Sequence, residues 1–167
     1  LSPEVLKGIR REIEKESLRM RSDGKLSAVP HPLALGSALA HPHVTTDFSE
    51  SQLELITGVH AGVEACLEEL TQLHQVVFRN INDEMLWCAS MPCGLPSDDD
   101  IPLGRYGKSN LGRAKTVYRM GLAHRYGRRM QTISGIHYNF SMPAVSNEGY
   151  FSLIRNFRRH SWLLLYL

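Results

Sequence analysis

Cysteine is scarce in this chain: Cys66, Cys88 and Cys93 are the three in 167 residues, and no two form a CxxC pair. An odd number at wide spacing argues against a disulfide framework and fits a reducing compartment. An excess of one charge is also missing. Nineteen Lys and Arg against 17 Asp and Glu leave a net charge of +2, which does not suggest a broad nucleic-acid-binding surface. Eight histidines add positive charge only as pH falls below ~6.5, and they are scattered. No signal-peptide pattern opens the chain and no run of about 18 apolar residues occurs. The cytoplasm is therefore the expected location, with neither membrane nor nucleic acid as a partner. Internal repeats and low-complexity tracts are absent too, which removes the repeat architectures.

What is present is an ordinary globular composition, 43% hydrophobic and 22% charged, long enough for one domain with a real core. The chain starts at Leu1 without an initiator methionine and stops on the apolar Trp162–Leu167. Such an end needs covering, so the expectation is a part of a longer protein.

Residues 3–8 read as one helical turn closed by Gly8, and 9–20 as a strand with Glu12, Glu14, Glu16, Leu18 and Met20 on one face. Ser22-Asp23-Gly24 is a turn, and Pro30 and Pro32 keep 25–37 irregular. A second extended region covers 43–57, with Glu50, Gln52, Glu54 and Ile56 sharing a face. Apolar residues at helical spacing from Val59 to Val77 predict a helix, and 85–92 predicts a short buried strand. The Gly-, Pro- and Asp-rich 93–112 is a long loop. Ser109 or Asn110 then caps a helix running to Tyr126 and ended by Gly127, and 148–167 again has helical spacing. Strands and helices interleave without a βαβ rhythm, which predicts an α+β fold.

The stretch 129–143, RMQTISGIHYNFSMP, reads as a further strand. Gln131, Ile133, Gly135, His137, Asn139 and Ser141 fall on its front; Met130, Ile136, Tyr138, Phe140 and Met142 are among those behind. A front of hydrogen-bonding side chains faces either a ligand or water.

Paired carboxylates are the other signal. Glu14 and Glu16, two apart on a strand, share a face at roughly 6.5–7 Å along the chain. Like charges so close raise each other's pKa unless a cation neutralises them, and carboxylate oxygens suit Mg2+. The alternative is a solvated edge compensated by Arg10, Arg11 and Lys15. Asp47 and Glu54 offer two more oxygen ligands, although a lone D-x6-E spacing is weak, and Glu54 sits among Leu53, Leu55 and Ile56. Residues 105–115 bring Arg105, Lys108, Arg113 and Lys115 to a helix start, but lack the Walker A pattern. That segment also reads as a capped basic surface helix.

In this order the segments IEKESLRM (13–20), HPLALGSAL (31–39), TTDFSESQLELIT (45–57), SMPC (90–93), 105–143 and 150–167 closely resemble the N-terminal part of proteobacterial glutamate–cysteine ligases. The resemblance is collinear over most of the chain. It implies a glutamine-synthetase-like fold, a curved and mostly antiparallel sheet with outer helices, in which residues 1–167 are the N-terminal part of a single catalytic domain. It implies ATP-dependent joining of the γ-carboxylate of L-glutamate to the amine of L-cysteine through a γ-glutamyl phosphate, the first step of glutathione synthesis. By the same resemblance Glu16, Asp47 and Glu54 hold one Mg2+, or Mn2+ in its place, and Glu14 with His137 holds others beside the ATP phosphates. His137 takes the catalytic position, with Asn139 and Ile133 also at the nucleotide, while Phe48, Tyr118, Leu122 and Gln131 match the cysteine pocket. Two departures stand out: Glu12 replaces a usual glycine, and residues 144–149 form a shorter connection than is common. The missing C-terminal part of the same chain is expected to supply further ligands, so the isolated piece is expected to lack activity. Rival readings are another carboxylate–amine ligase of this fold and a non-catalytic scaffold.

Overall fold

A computed structural model describes residues 3–167. Its central element is β1 (Arg10–Met20), where the sequence places it. One edge of β1 pairs antiparallel with β3 (Gln52–Ile56), from Glu14 opposite Ile56 to Leu18 opposite Gln52. β3 carries β2 (Val44–Thr46), also antiparallel. Arg19 and Met20 pair antiparallel with β4 (Met85–Leu86), and β5 (Ile136–Ser141) pairs with β1 as well. The α+β class and the antiparallel sheet agree with the sequence reading.

Burial decides which face holds the chemistry. Leu53 and Leu55 of β3 are buried with Val44, Leu35, Val77 and Ile81, and Leu70 and Leu73 of α2 (Val63–Phe78) pack on the same cluster. Burying a Leu side chain contributes roughly 1.5–3 kcal/mol, so this face is committed to α2. Successive side chains alternate, and Gln52 and Glu54 must therefore take the opposite face.

Several expected boundaries move for identifiable reasons. The 43–57 region is a hairpin, because Asp47 N–H donates to the Gln52 carbonyl at 3.0 Å and Gln52 N–H to the Ser49 carbonyl at 2.8 Å. Glu50 thereby leaves the strand face; it is buried, and accepts from His31 N–H at 2.8 Å and Arg105 N–H at 2.6 Å. The helix expected from Val59 starts at Val63, since His60 and Arg11 exchange main-chain hydrogen bonds of 2.8 and 2.9 Å and hold the chain extended. The strand expected over 85–92 is two residues long, and Met85 is exposed. Past it the Trp87 indole N–H donates to the Met91 carbonyl at 2.9 Å and folds the chain into a turn.

The strand expected over 129–143 is shorter as well. Asp98 accepts from the N–H groups of Arg128 at 3.0 Å and Arg129 at 2.8 Å, and a 3-10 turn over Met130–Thr132 follows. Gln131 and Ile133 therefore precede β5 and do not share its front. Thr132 and Ser134 are buried, whereas Ile136 and Tyr138 are exposed.

α3 (Asn110–Tyr126) is framed as predicted: the Ser109 hydroxyl accepts from Gly112 N–H at 3.1 Å, and Gly127 closes the helix at φ +80°. The chain divides into two compact units, 11–139, which holds the sheet centre, and 3–10 with 140–167. The smaller unit comprises α1 (Pro3–Lys7) and α4 (Asn147–His160), capped by Ser146 and followed by a 3-10 turn over Ser161–Leu165. The helix expected over 148–167 thus tightens at Ser161. Among the described residues no helix is long and apolar enough to cross a membrane.

Candidate active site

The site lies in the larger unit, on the sheet face away from α2. Register places Glu16 of β1 directly opposite Glu54 of β3, with Thr45 of β2 beyond Glu54. Directly opposed side chains have Cβ atoms ~4.5–5.5 Å apart, and like charges there repel. Glu14, two residues earlier, faces β5: its Oε2 lies 3.2 Å from His137 Nδ1, and Asn139 Nδ2 donates to its Oε1 at 2.9 Å. Glu16 Oε2 accepts from Gly135 N–H at 2.9 Å and from Gln52 Nε2 at 3.3 Å. Glu12, half-buried, adds a carboxylate two residues before Glu14.

Asp47 occupies the turn after β2. Its carbonyl accepts from the Tyr106 hydroxyl and from Arg119 Nε, and Arg119 Nη2 lies 3.9 Å from its Oδ1. The Arg119 guanidinium stacks 4.5 Å from the centroid of the Tyr106 ring, a cation–π contact that braces both donors. Burial raises the Tyr106 phenol above its usual range and keeps it a proton donor.

Negative charge here is under-compensated. Burial first, then the neighbouring Asp47, Glu14 and Glu16, pushes the Glu54 carboxyl up to about 7. No side chain among the described residues donates a hydrogen bond to it. Burial likewise raises Glu16, although the Gly135 N–H opposes the shift. The hydrogen bond to Glu14 raises His137, so its imidazolium persists to higher pH.

Carboxylate oxygens with one imidazole form a donor set for a hard divalent cation, and the repulsion from Asp47, Glu14 and Glu16 that raises Glu54 is what such a cation would relieve. The expected convergence is not in place, however. Among the described residues no three His, Cys, Asp or Glu side chains already close on an ion. The reason is local: Glu14 is turned to His137 and Asn139, and Glu16 to Gly135 and Gln52.

A family model described as glutamate–cysteine ligase matches residues 2–167. The chain belongs to the glutamate–cysteine ligase family. It is 54% identical to a glutamate–cysteine ligase of Alcanivorax borkumensis over 98% of this chain and 34% of that protein. For the one from Edwardsiella ictaluri the identity is 50%, over 99% and 35%. A crystal structure of a Francisella tularensis glutamate–cysteine ligase in complex with AMP superposes with a TM-score of 0.90 at 42% identity, over 96% of this chain and 34% of that one. The chain thus spans about a third of the length of these relatives.

Within this chain Glu14, Glu16, Glu54, His137 and Asn139 are brought to one sheet face. The residues matched to a cysteine pocket come from separate elements. Tyr118 is exposed and Leu122 half-buried one turn apart on α3; Phe48 is buried after β2; Gln131 is half-buried in the 3-10 turn. Exposed Ile133 ends that turn and lies off the β5 face. Sequence reasoning did not single out Gln52, Ser134, Tyr106 or Arg119. Gln52 alone had a signal, its position two before Glu54. Cys66 is buried and Cys88 and Cys93 are exposed; all three are free thiols.

Proposed function

We propose that the protein carrying this chain joins the γ-carboxylate of L-glutamate to the amine of L-cysteine at the expense of ATP. The observation that carries this reading is the opposed pair Glu16 and Glu54, acidic groups facing each other across β1 and β3, with no side chain among the described residues hydrogen-bonded to Glu54. Membership of the glutamate–cysteine ligase family supports the substrates, and a related structure holding AMP supports the nucleotide.

A γ-carboxylate oxygen of glutamate attacks the γ-phosphorus of ATP and ADP leaves, forming γ-glutamyl phosphate. The amine nitrogen of cysteine then attacks the acyl carbon; phosphate departs, and the nitrogen sheds a proton as the amide forms. Glu16, Asp47 and Glu54 would hold one Mg2+ or Mn2+, and Glu14 with His137 others. Bound there, such cations supply charge cancellation between the ATP phosphates and the glutamate carboxylate. His137, oriented by Glu14 3.2 Å from its Nδ1, presents its imidazole beside the ATP phosphates, while Asn139 and Ile133 flank the nucleotide. Phe48, Tyr118, Leu122 and Gln131 enclose the cysteine side chain. Tyr106 and Arg119 hold the Asp47 main chain while this happens.

Residues 1–167 belong, on this reading, to one catalytic domain completed by chain beyond this sequence, consistent with their spanning a third of the relatives. The cytoplasm, where ATP is abundant and the exposed Cys88 and Cys93 stay reduced, is the proposed location. The test is ADP release by the full-length protein, which should require both L-glutamate and L-cysteine and fall on the order of 100-fold or more in Glu16→Gln. Equal turnover with other amines in place of cysteine would refute the substrate, and turnover by the 167-residue piece would refute its incompleteness.

A further inference from the structure

We infer that Gln52 is a positioning residue that fixes which oxygen of Glu16 is offered to a divalent cation; this rests on the cation-binding reading of the site. Gln52 opens β3 and its side chain is fully buried. It bridges two of the acidic residues: its carbonyl accepts from Asp47 N–H at 3.0 Å, and its amide Nε2 donates to Glu16 Oε2 at 3.3 Å. The same Nε2 donates to Ser134 Oγ at 3.2 Å. Ser134 is itself anchored, with its N–H on the Ser90 carbonyl at 3.0 Å and its hydroxyl on the Thr132 carbonyl at 3.4 Å.

Both donors to Glu16, Gly135 N–H and Gln52 Nε2, therefore converge on Oε2. Among the described residues none donates to Oε1, whose lone pairs stay available. The orientation of the amide follows from chemistry. Turned over, Gln52 would set its own carbonyl oxygen against a carboxylate oxygen, two acceptors with no proton between them. As placed, Gln52 Oε1 is buried with no partner. A buried unpaired acceptor costs stability, and an apolar side chain of similar size would remove that cost. What the amide contributes is orientation, as groups hydrogen-bonded to metal-ligating carboxylates do. Without it Glu16 keeps only the Gly135 N–H, and repulsion from Glu54 opposite turns the carboxylate away.

The test uses the full-length protein with Mn2+ as the probe and no nucleotide, following free Mn2+ by electron paramagnetic resonance. Gln52→Met should weaken Mn2+ binding about tenfold, while its Tm without metal equals or exceeds that of the unsubstituted protein. Ser134→Ala, which releases the amide from its other anchor, should weaken binding about two- to threefold and serves if Gln52→Met does not fold. Binding within twofold in Gln52→Met, alongside a clear loss in Glu16→Gln, would overturn the positioning role alone. Unchanged binding in Glu16→Gln would instead overturn the cation-binding reading beneath it.

Discussion

Replacing Glu54 by glutamine tests the electrostatics of the site without reference to catalysis. The carboxyl is pushed from 4.5 to about 7 by burial and by Asp47, Glu14 and Glu16. A raised carboxylate pKa means that the folded state holds a proton the unfolded chain has already lost. Stability is therefore unaffected by this group below about pH 4.5, falls as pH rises towards 7, and carries the full penalty above that. A shift of this size corresponds to roughly 3 kcal/mol. Glu54 is only partly buried, and solvent screening reduces the cost to about 1–2 kcal/mol. In the absence of divalent cations, Glu54→Gln should therefore stabilise the protein by about 1–2 kcal/mol at pH 8 and by almost nothing at pH 4.5. For a unit of this size that is roughly 2–8 °C in Tm, within reach of thermal melts by circular dichroism. Saturating Mg2+ should shrink the difference at pH 8, because the ion supplies the missing positive charge. An equal Tm difference at both pH values would refute the assignment of the strain to an ionised Glu54.

Three further substitutions, at Arg19, Glu84 and Gly112, probe how the site is held. Arg19 is fully buried, its Nη1 donating to Glu84 Oε2 at 2.7 Å and its Nη2 to the carbonyls of Val29 and Glu50. Arg19→Met should cost about 3–5 kcal/mol by stranding Glu84, and adding Glu84→Met should recover part of it; melts that show no recovery would contradict this. Gly112 meets the Tyr106 carbonyl so closely that a Cβ would lie 2.3 Å from its oxygen. Gly112→Ala should therefore lower Tm, although alanine is the better helix former by about 1 kcal/mol. A higher Tm would show that the approach relaxes at little cost.

Features governed by local periodicity and capping were legible in the residues themselves. β1 follows its alternation and α3 runs from its Ser109 cap to its Gly127 stop, because strand pleat and helix ends are set by a few consecutive residues. The start of β5 was not legible. Asp98, some 30 residues upstream, captures the N–H groups of Arg128 and Arg129, and nothing in the local alternation of 129–143 announces it. α2 starts late for the same kind of reason, a main-chain pairing between His60 and Arg11.

At the site the division is similar. The sequence by itself determined that Glu14 and Glu16 share a face, and its long stretches of family resemblance pointed to the acidic residues and His137. Only the tertiary structure decided that Glu54 stands opposite Glu16, that His137 and Asn139 both bind Glu14, and that a buried Gln52 ties Glu16 to Ser134. Side-chain spacing within a strand is a covalent property. Strand register is not, since it is settled by which apolar face α2 covers, and a slip of one residue would turn every carboxylate to the other side.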